Sequence, residues 1–416
     1  MINNIAHHRL IITFLLSAAT GILGGGACAL FYLCTQFSDG TRIAHPWLLW
    51  LLPLAGLLIV FLYDGIMETK DLSAGALFRH VQEGKPVSPW IAPLIALSTC
   101  LAYLTGGSVG RTGSALQIGG SISNGIIETG WSRTSGSKSN SDIAALLTAC
   151  GMASGFTAIL GTPLAGAVLG SEILVLGRRS IKLIVPTLIS SFITWGISLL
   201  FHISYTDFSI EASHFADLAL PDYLKLAALC LTATLVARFY CYSRRLIAWS
   251  MDRYLKSPYL RVLVGTALII LITKLLGNMN CSGIGFDYVA QALNGDCDTF
   301  AFFWKLILTC LALGCGIRGG EIAPNIFIGA TFGCTAGMIL GMDPCLCAAI
   351  CLISVLSSVT NCTFAIFVYG CEAICLSLPS ALCFLAVSVL VHIFSGDIGL
   401  FREQPSNQIP LKLHIY

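Results

Sequence analysis

The sequence predicts an all-α polytopic membrane protein with two related halves and broken, re-entrant helices. Three observations point there. Of 416 residues, 56% are hydrophobic and only 11% charged, with a mean hydropathy of +0.83, whereas soluble chains carry roughly 25% charged residues. Two glycine-rich stretches, GGSVGRTGSALQIGG (Gly106 to Gly120) and GCGIRGGEIAPNIFIGATFG (Gly314 to Gly333), each follow an apolar run and open a new helix. A segment of the first half also recurs 200 positions later.

In chain order, Leu10 to Leu33 is a first span, about the ~20 residues a bilayer core requires. His7, His8 and Arg9 lead straight into it, so it reads as a span and not as a cleavable signal. Polar Ser38 to His45 reads as a loop, and Trp47 to Tyr63 returns. LSAGALF (Leu72 to Phe78) is too short for a span and reads as a re-entrant half-helix preceded by Ser73, Ala74 and Gly75. Trp90 to Leu104 leads to the first break, after which a small-residue helix starts near Ser114. Polar Ser132 to Asp142 precedes Ile143 to Leu160. Gly161, Thr162 and Pro163 then break the chain before Leu164 to Leu176, and Ile181 to Phe201 completes the first half, residues 10–201. The second half, 219–404, begins with Leu220 to about Tyr242, a basic connection, and Tyr259 to Leu276. An amphipathic piece (Gly285 to Leu293) and Phe302 to Leu313 lead to the second break. Cys345 to Ser358, Phe364 to Leu376 and Ala381 to Phe394 finish the membrane portion. A single membrane domain, 1–416, without a soluble regulatory domain is expected.

Charge sets orientation. Arg238 to Arg261 carries six Lys/Arg against Asp252 alone, and Gly177 to Lys182 carries three, whereas His202 to Asp222 has four acids and no Lys or Arg. The positive-inside rule places the first two in the cytoplasm and the third outside. Counting back, the N-terminus is cytoplasmic, in a multi-pass protein of the cell membrane. A net charge of +2 and the lack of a basic tract give no sign of a nucleic-acid partner. The 18 cysteines lie mostly within apolar runs with no CxxC pair, so they read as small packing residues. Cys281 and Cys297, near a loop, are the one pair to check for a bridge. The eight histidines are scattered without metal-ligand spacing. Neither a metal nor a cofactor is called for.

A helix that starts inside a membrane leaves N–H groups unpaired, which is tolerated where the backbone lines a cavity or is buried in protein. Those groups and the positive dipole end suit an anion; the alternative is a packing kink. The repeat bears on this choice. GTPLAGAVLGSEIL (Gly161 to Leu174) matches NCTFAIFVYGCEAI (Asn361 to Ile374) at Ala165/Ala365, Val168/Val368, Gly170/Gly370 and Glu172/Glu372, and each copy follows its own glycine-rich break. Repeats with interrupted helices in matching places point to a substrate site at their interface. Two helix starts converging from opposite sides would face one anion.

At these motifs the chain resembles the CLC family of anion channels and anion/proton exchangers. The family's G-(K/R)-E-G-P motif aligns with Gly110, Arg111, Thr112, Gly113 and Ser114, and its G-x-F-x-P with Gly320, Glu321, Ile322, Ala323 and Pro324. GMASGFTAILGTPLAGAVLGSEIL (Gly151 to Leu174) also reads like the family. Within it the chain looks most like the bacterial fluoride-exporting branch, on the GGS before the motif, Ser114, Gln117 and the GGEI form. The first family motif, G-S-G-I-P, is replaced by Ser73-Ala74-Gly75-Ala76. The resemblance implies an inverted-repeat fold and a homodimer with a pore per subunit, each pore built of inverted halves and carrying fluoride or chloride past the amides of Thr112, Gly113, Glu321 and Ile322. By the same resemblance, the gating and proton-carrying glutamate of exchangers is Thr112 here, so coupling is impaired or lost. The inner tyrosine falls at Phe401, and the inner proton-transfer glutamate of chloride exchangers is Ile173.

Other residues keep two readings. Glu172 and Glu372, near the cytoplasmic helix ends, serve as proton sites or, the better fit, pair with loop N–H groups or Arg. Arg111 and Arg318 either raise the potential for anions or hold broken backbone through carbonyls. Glu321 would repel an anion unless its side chain points away. A passive, weakly selective chloride channel is the alternative function, with a nontransporting scaffold behind it. An intramembrane hydrolase would need a motif such as G-x-S-G or paired membrane aspartates, which the sequence lacks.

Overall fold

Along the helix Ile181–Leu200, the inward residues are Leu183, Pro186 and then the small hydroxyl residues Thr187, Ser190, Ser191, Thr194 and Ser198, while Val185, Phe192 and Leu199 face out. That inverts a soluble helix and suits lipid surroundings, where small residues let backbones approach and hydroxyls bond across. Thr194 Oγ1 donates to Gly21 O at 3.2 Å, and Ser190 Oγ to Cys150 O at 3.2 Å.

The computed structural model describes residues 2–66, 88–126, 137–174, 181–215, 219–277, 279–396 and 399–400. Its α-helices are α1 (Ile2–Ala44), α2 (Leu52–Phe61), α3 (Ile91–Leu104), α4 (Thr112–Ile126), α5 (Ser137–Leu160), α6 (Pro163–Glu172), α7 (Ile181–Leu200) and α8 (Leu220–Tyr254). The rest are α9 (Pro258–Leu276), α10 (Phe286–Leu293), α11 (Ala301–Cys315), α12 (Ile322–Leu340), α13 (Pro344–Thr360), α14 (Thr363–Tyr369) and α15 (Leu378–Ser395). Among the described residues, eight helices are long and apolar enough to cross a membrane, and the only β pairing is one isolated antiparallel bridge, Gly110 with Gly320.

Several boundaries differ from expectation for physical reasons. The polar stretch from Ser38 stays helical because it satisfies itself: Ser38 Oγ and Thr41 Oγ1 return to the carbonyls of Cys34 and Phe37, and Asp39 pairs with Arg42 at 2.9 Å. The helix expected to end near Tyr242 runs on to Tyr254, since its basic side chains find partners inside. Arg238 donates to Ser395 O at 2.7 Å and Arg245 to Gly399 O at 2.9 Å. The expected helix from Phe364 is α-helical only to Tyr369 and finishes in a wider π turn, Gly370–Ile374. Cys281 and Cys297 are not bridged; their thiols donate to Ala301 O and Thr331 O.

The repeat is visible as packing. Each broken helix lies on the next through glycines: a Cβ on Gly119 of α4 would be 2.1 Å from Gly151 O of α5, and one on Gly333 of α12 would be 2.2 Å from Cys347 O of α13. The two second helices end at repeat-related left-handed residues, Gly161 (φ 74°) and Asn361 (φ 56°), and Asn is among the few side chains that tolerate that region. Then α6 and α14 run antiparallel. Glu372 accepts from Leu164 N and Ala165 N at 3.1 and 2.8 Å, and Glu172 from Phe364 N and Ala365 N at 3.4 and 2.9 Å. The two carboxylates therefore sit at opposite ends of the pair, not together at one cytoplasmic end. Their role is the pairing with N–H groups.

Candidate functional site

The two glycine-rich breaks meet backbone to backbone. Gly110 N donates to Gly320 O at 2.7 Å and Gly320 N to Gly110 O at 2.6 Å. A Cβ on Gly110 would lie 2.7 Å from Pro324 Cδ, one on Gly113 2.9 Å from Gly320 Cα, and one on Gly320 2.6 Å from Gly113 N. Only glycine permits this approach. The bridge sets the start of α4 against the start of α12, and Thr112 and Ile322 are buried there.

Both starts carry spare donors. The first α-type bond into α4 comes from Ala115 N to Arg111 O at 2.9 Å, so the N–H groups of Thr112, Gly113 and Ser114 have no turn beneath them. In α12, Asn325 N reaches Glu321 O at 3.4 Å. Pro324 has no N–H, which leaves those of Ile322 and Ala323. Each helix adds roughly half a positive charge at its start. Thr112 begins the helix expected from Ser114, and its buried Oγ1 has no protein partner.

Carboxylates distinguish these starts from the other two broken ones. At α6 and α14, Glu372 and Glu172 already occupy the N–H groups. At α12 the adjacent acid, Glu321, is turned away: its Oε1 lies 2.6 Å from Arg244 Nη2, and Tyr240 OH donates to Oε2 at 3.4 Å. Among the described residues, no carboxylate bonds to the starts of α4 and α12.

The structure thus brings Gly110, Arg111, Thr112, Gly113, Gly320, Glu321, Ile322 and Ala323 into one place. Ser73, Gly75, Ala76 and Phe401 lie outside the described residues. Arg111 is held by rings, its guanidinium 4.0 Å from the Tyr32 centroid and 5.5 Å from that of Phe286, with Nε unpartnered. It lies at the edge of a cavity of about 740 Å³ whose walls include Asp39, Arg42, Tyr205 and Phe286. Arg318 sits 5.0 Å over the Tyr63 ring. Cation–π contact is the common device, in place of the carbonyl hydrogen bonds weighed in the sequence.

Sequence reasoning missed Arg244 and Tyr240, for they lie on a different helix from Glu321 and no spacing joins them. It also missed Lys305, fully buried, whose Nζ donates to the carbonyls of Cys281, Gly283 and Ile284 at 3.2, 2.6 and 3.3 Å. The available signal was a lone lysine in an apolar run.

Known proteins share this architecture. Residues 74–396 match the family described as Voltage gated chloride channel. The chain is 27% identical over 404 residues to a protein of Pseudomonas syringae pv. tomato named "Chloride/fluoride channel protein", covering 94% of this chain and 85% of that one. A CLC-type fluoride/proton antiporter of known structure superposes with a TM-score of 0.88 at 26% identity, covering 95% of this chain and 98% of that one. A slow cyanobacterial Cl⁻/H⁺ antiporter shares the fold at a TM-score of 0.73 and 16% identity, over 92% of this chain and 93% of its own. On the extent of the family match, joined to two opposed helix starts in an all-α membrane fold, the chain belongs to the voltage gated chloride channel family, the CLC proteins.

Proposed function

We propose that this protein carries fluoride or chloride across the cell membrane past the N–H groups of Thr112, Gly113, Glu321 and Ile322, with proton coupling impaired or lost. Gly110, Gly320 and Ala323 shape that path, and Arg111 supplies a fixed positive charge at its mouth. The observation that carries the reading is the difference among the four broken-helix starts. Two are filled by glutamates of the protein, while the opposed pair is left to an outside anion because Arg244 draws Glu321 aside. The names of the two similar proteins favour fluoride among the anions. Thr112 favours a second reading, a passive, weakly selective chloride channel, since a hydroxyl neither competes with the anion nor carries a proton near neutral pH. Two copies form the unit, each with its own pore built from the halves 10–201 and 219–404. The N-terminus lies inside and the His202–Asp222 stretch outside.

Purified protein in liposomes, given fluoride and chloride gradients in turn, tests the transport reading. Flux of neither ion overturns it. A structure in bromide should place anomalous density within hydrogen-bond reach of the four amides, and density elsewhere would remove the site. For orientation, an impermeant thiol reagent applied outside should label Ser213→Cys and spare Ser257→Cys; the reverse pattern inverts the topology.

A further inference from the structure

Three donor atoms of different chemistry meet away from the anion path. His214 comes from the 3₁₀ turn Ala212–Phe215, and Asp343 and Cys345 from the start of α13. One ligand atom from each lies within 4.8 Å of the other two, and all three side chains are partly exposed. His214 Nδ1 touches Asp343 Oδ2 directly. The other carboxylate oxygen, Oδ1, accepts the N–H of Cys345 at 3.0 Å, which caps α13 and fixes the carboxylate plane.

Imidazole nitrogen, thiolate sulfur and carboxylate oxygen are the donors zinc takes, at about 2.0–2.3 Å, which sets them roughly 3.5 Å apart around a tetrahedron. The three ligand atoms already lie within 4.8 Å of one another, and a cation entering between His214 Nδ1 and Asp343 Oδ2 would replace their direct contact. The capping bond at Asp343 supplies the outer support that orients a ligand. We propose that His214, Asp343 and Cys345 form a binding site for a divalent cation of the zinc class, and that the bound cation restrains the 201–215 segment beside the cavity at Arg111.

On binding, the Cys345 thiol gives its proton to solvent. The imidazole coordinates through Nδ1 and carries its hydrogen on Nε2, and water or an anion completes the fourth position. The restraint follows from what the segment touches. Tyr205 lines the cavity. Phe208 meets Phe286 edge-on at 5.2 Å, and Phe286 lies against Arg111. Phe215, next to His214, packs on Phe384 at 5.3 Å. A cation joining His214 to α13 stiffens a wall of the cavity and slows anion entry. This second half rests on the transport reading above; the binding half does not.

Cobalt(II), added alone to the purified full chain, is the probe. The expected result is one equivalent bound with tetrahedral visible bands and a thiolate charge-transfer band, displaced by zinc. Cys345→Ser should remove the charge-transfer band, and His214→Ala should weaken binding at least tenfold. Asp343→Ser, which keeps a capping oxygen, should do the same without loss of thermal stability. Absent bands, or bands unchanged in Cys345→Ser, overturn the site. Zinc should slow fluoride flux through the parent protein and leave His214→Ala unaffected. Equal slowing of both overturns the restraint, whereas a parent without any flux speaks against the transport reading and leaves the cobalt result to decide binding.

Discussion

Lys305 is a fully buried charge, held by three carbonyls of the loop that precedes α10 and by the Phe327 face at 5.0 Å. Lys305→Met preserves the stem and removes the donors, leaving those carbonyls facing an apolar side chain. An unsatisfied buried group costs about 1–3 kcal/mol, so we predict about 3 kcal/mol less stability, read as a lowered thermal midpoint in detergent. Unchanged stability would show that the loop holds itself. Gly113 makes the complementary case, where the cost falls on function as well as on stability. A Cβ there meets Gly320 Cα at 2.9 Å and Glu321 N at 3.2 Å, both backbone atoms. Gly113→Ala therefore pushes the opposed starts apart while the α12–α13 packing stays intact. Anion flux should fall at least about tenfold, since small misplacements of the donors govern such sites, and the thermal midpoint should drop by the equivalent of about 1–3 kcal/mol, the usual cost of overpacking. Full flux would mean that the amides do not set the path. The glycines were legible because their own absence of a side chain is the signal. Lys305's partners were not, because they are carbonyls, which every residue has.

At the scale of elements, α6 and α14 exchange caps. Each short helix takes its N-terminal carboxylate from the far end of the other, so each glutamate does at once what an N-cap and a charge at the dipole do. The ten residues of α6 set its ends about 15 Å apart, beyond the range at which substitutions usually couple. We predict that Glu172→Gln and Glu372→Gln each cost about 1–2 kcal/mol, and that the double substitution costs their sum, measured by unfolding in mixed micelles. A strongly non-additive double would indicate that the pair acts as one switch, not as two caps. The repeat that sets up this exchange was readable from four identities, because Glu172 and Glu372 sit at the same register 200 positions apart. Helix edges were harder to read. The continuation of α8 past Tyr242 depends on Ser395 O, Gly399 O and Glu321, partners from distant elements that turn a basic stretch from a solvated connection into an interior one. A local reading of charge cannot see them.

For the whole molecule, the question is whether anion movement is tied to protons. Coupling requires a group that binds proton and anion in alternation at the same place. In the function proposed above Thr112 takes the place of the gating carboxylate; its hydroxyl is buried at the start of α4 and stays neutral across the physiological range. Among the described residues Glu321 is the acid beside the opposed starts, and Arg244 at 2.6 Å holds it away from them. Both features predict that an imposed fluoride gradient drives flux without proton movement in fixed proportion. Thr112→Glu reintroduces the competing carboxylate. When ionised it would enter the bare donor site and block the anion; when protonated it would leave. Its flux should therefore be lower than the parent's at high pH and rise as pH falls, the sign expected of an acid that must be neutralised to open the path. Arg244→Gln tests the other half. It frees Glu321 to turn toward the amides of Ile322 and Ala323, so flux should drop and acquire the same sense of pH dependence even with Thr112 in place. If instead the parent pumps protons at a fixed ratio, Glu321 is the residue to remove. Loss of pumping in Glu321→Gln, with anion flux retained, would show that the Arg244 pair opens during transport and that Glu321 has taken over the gate.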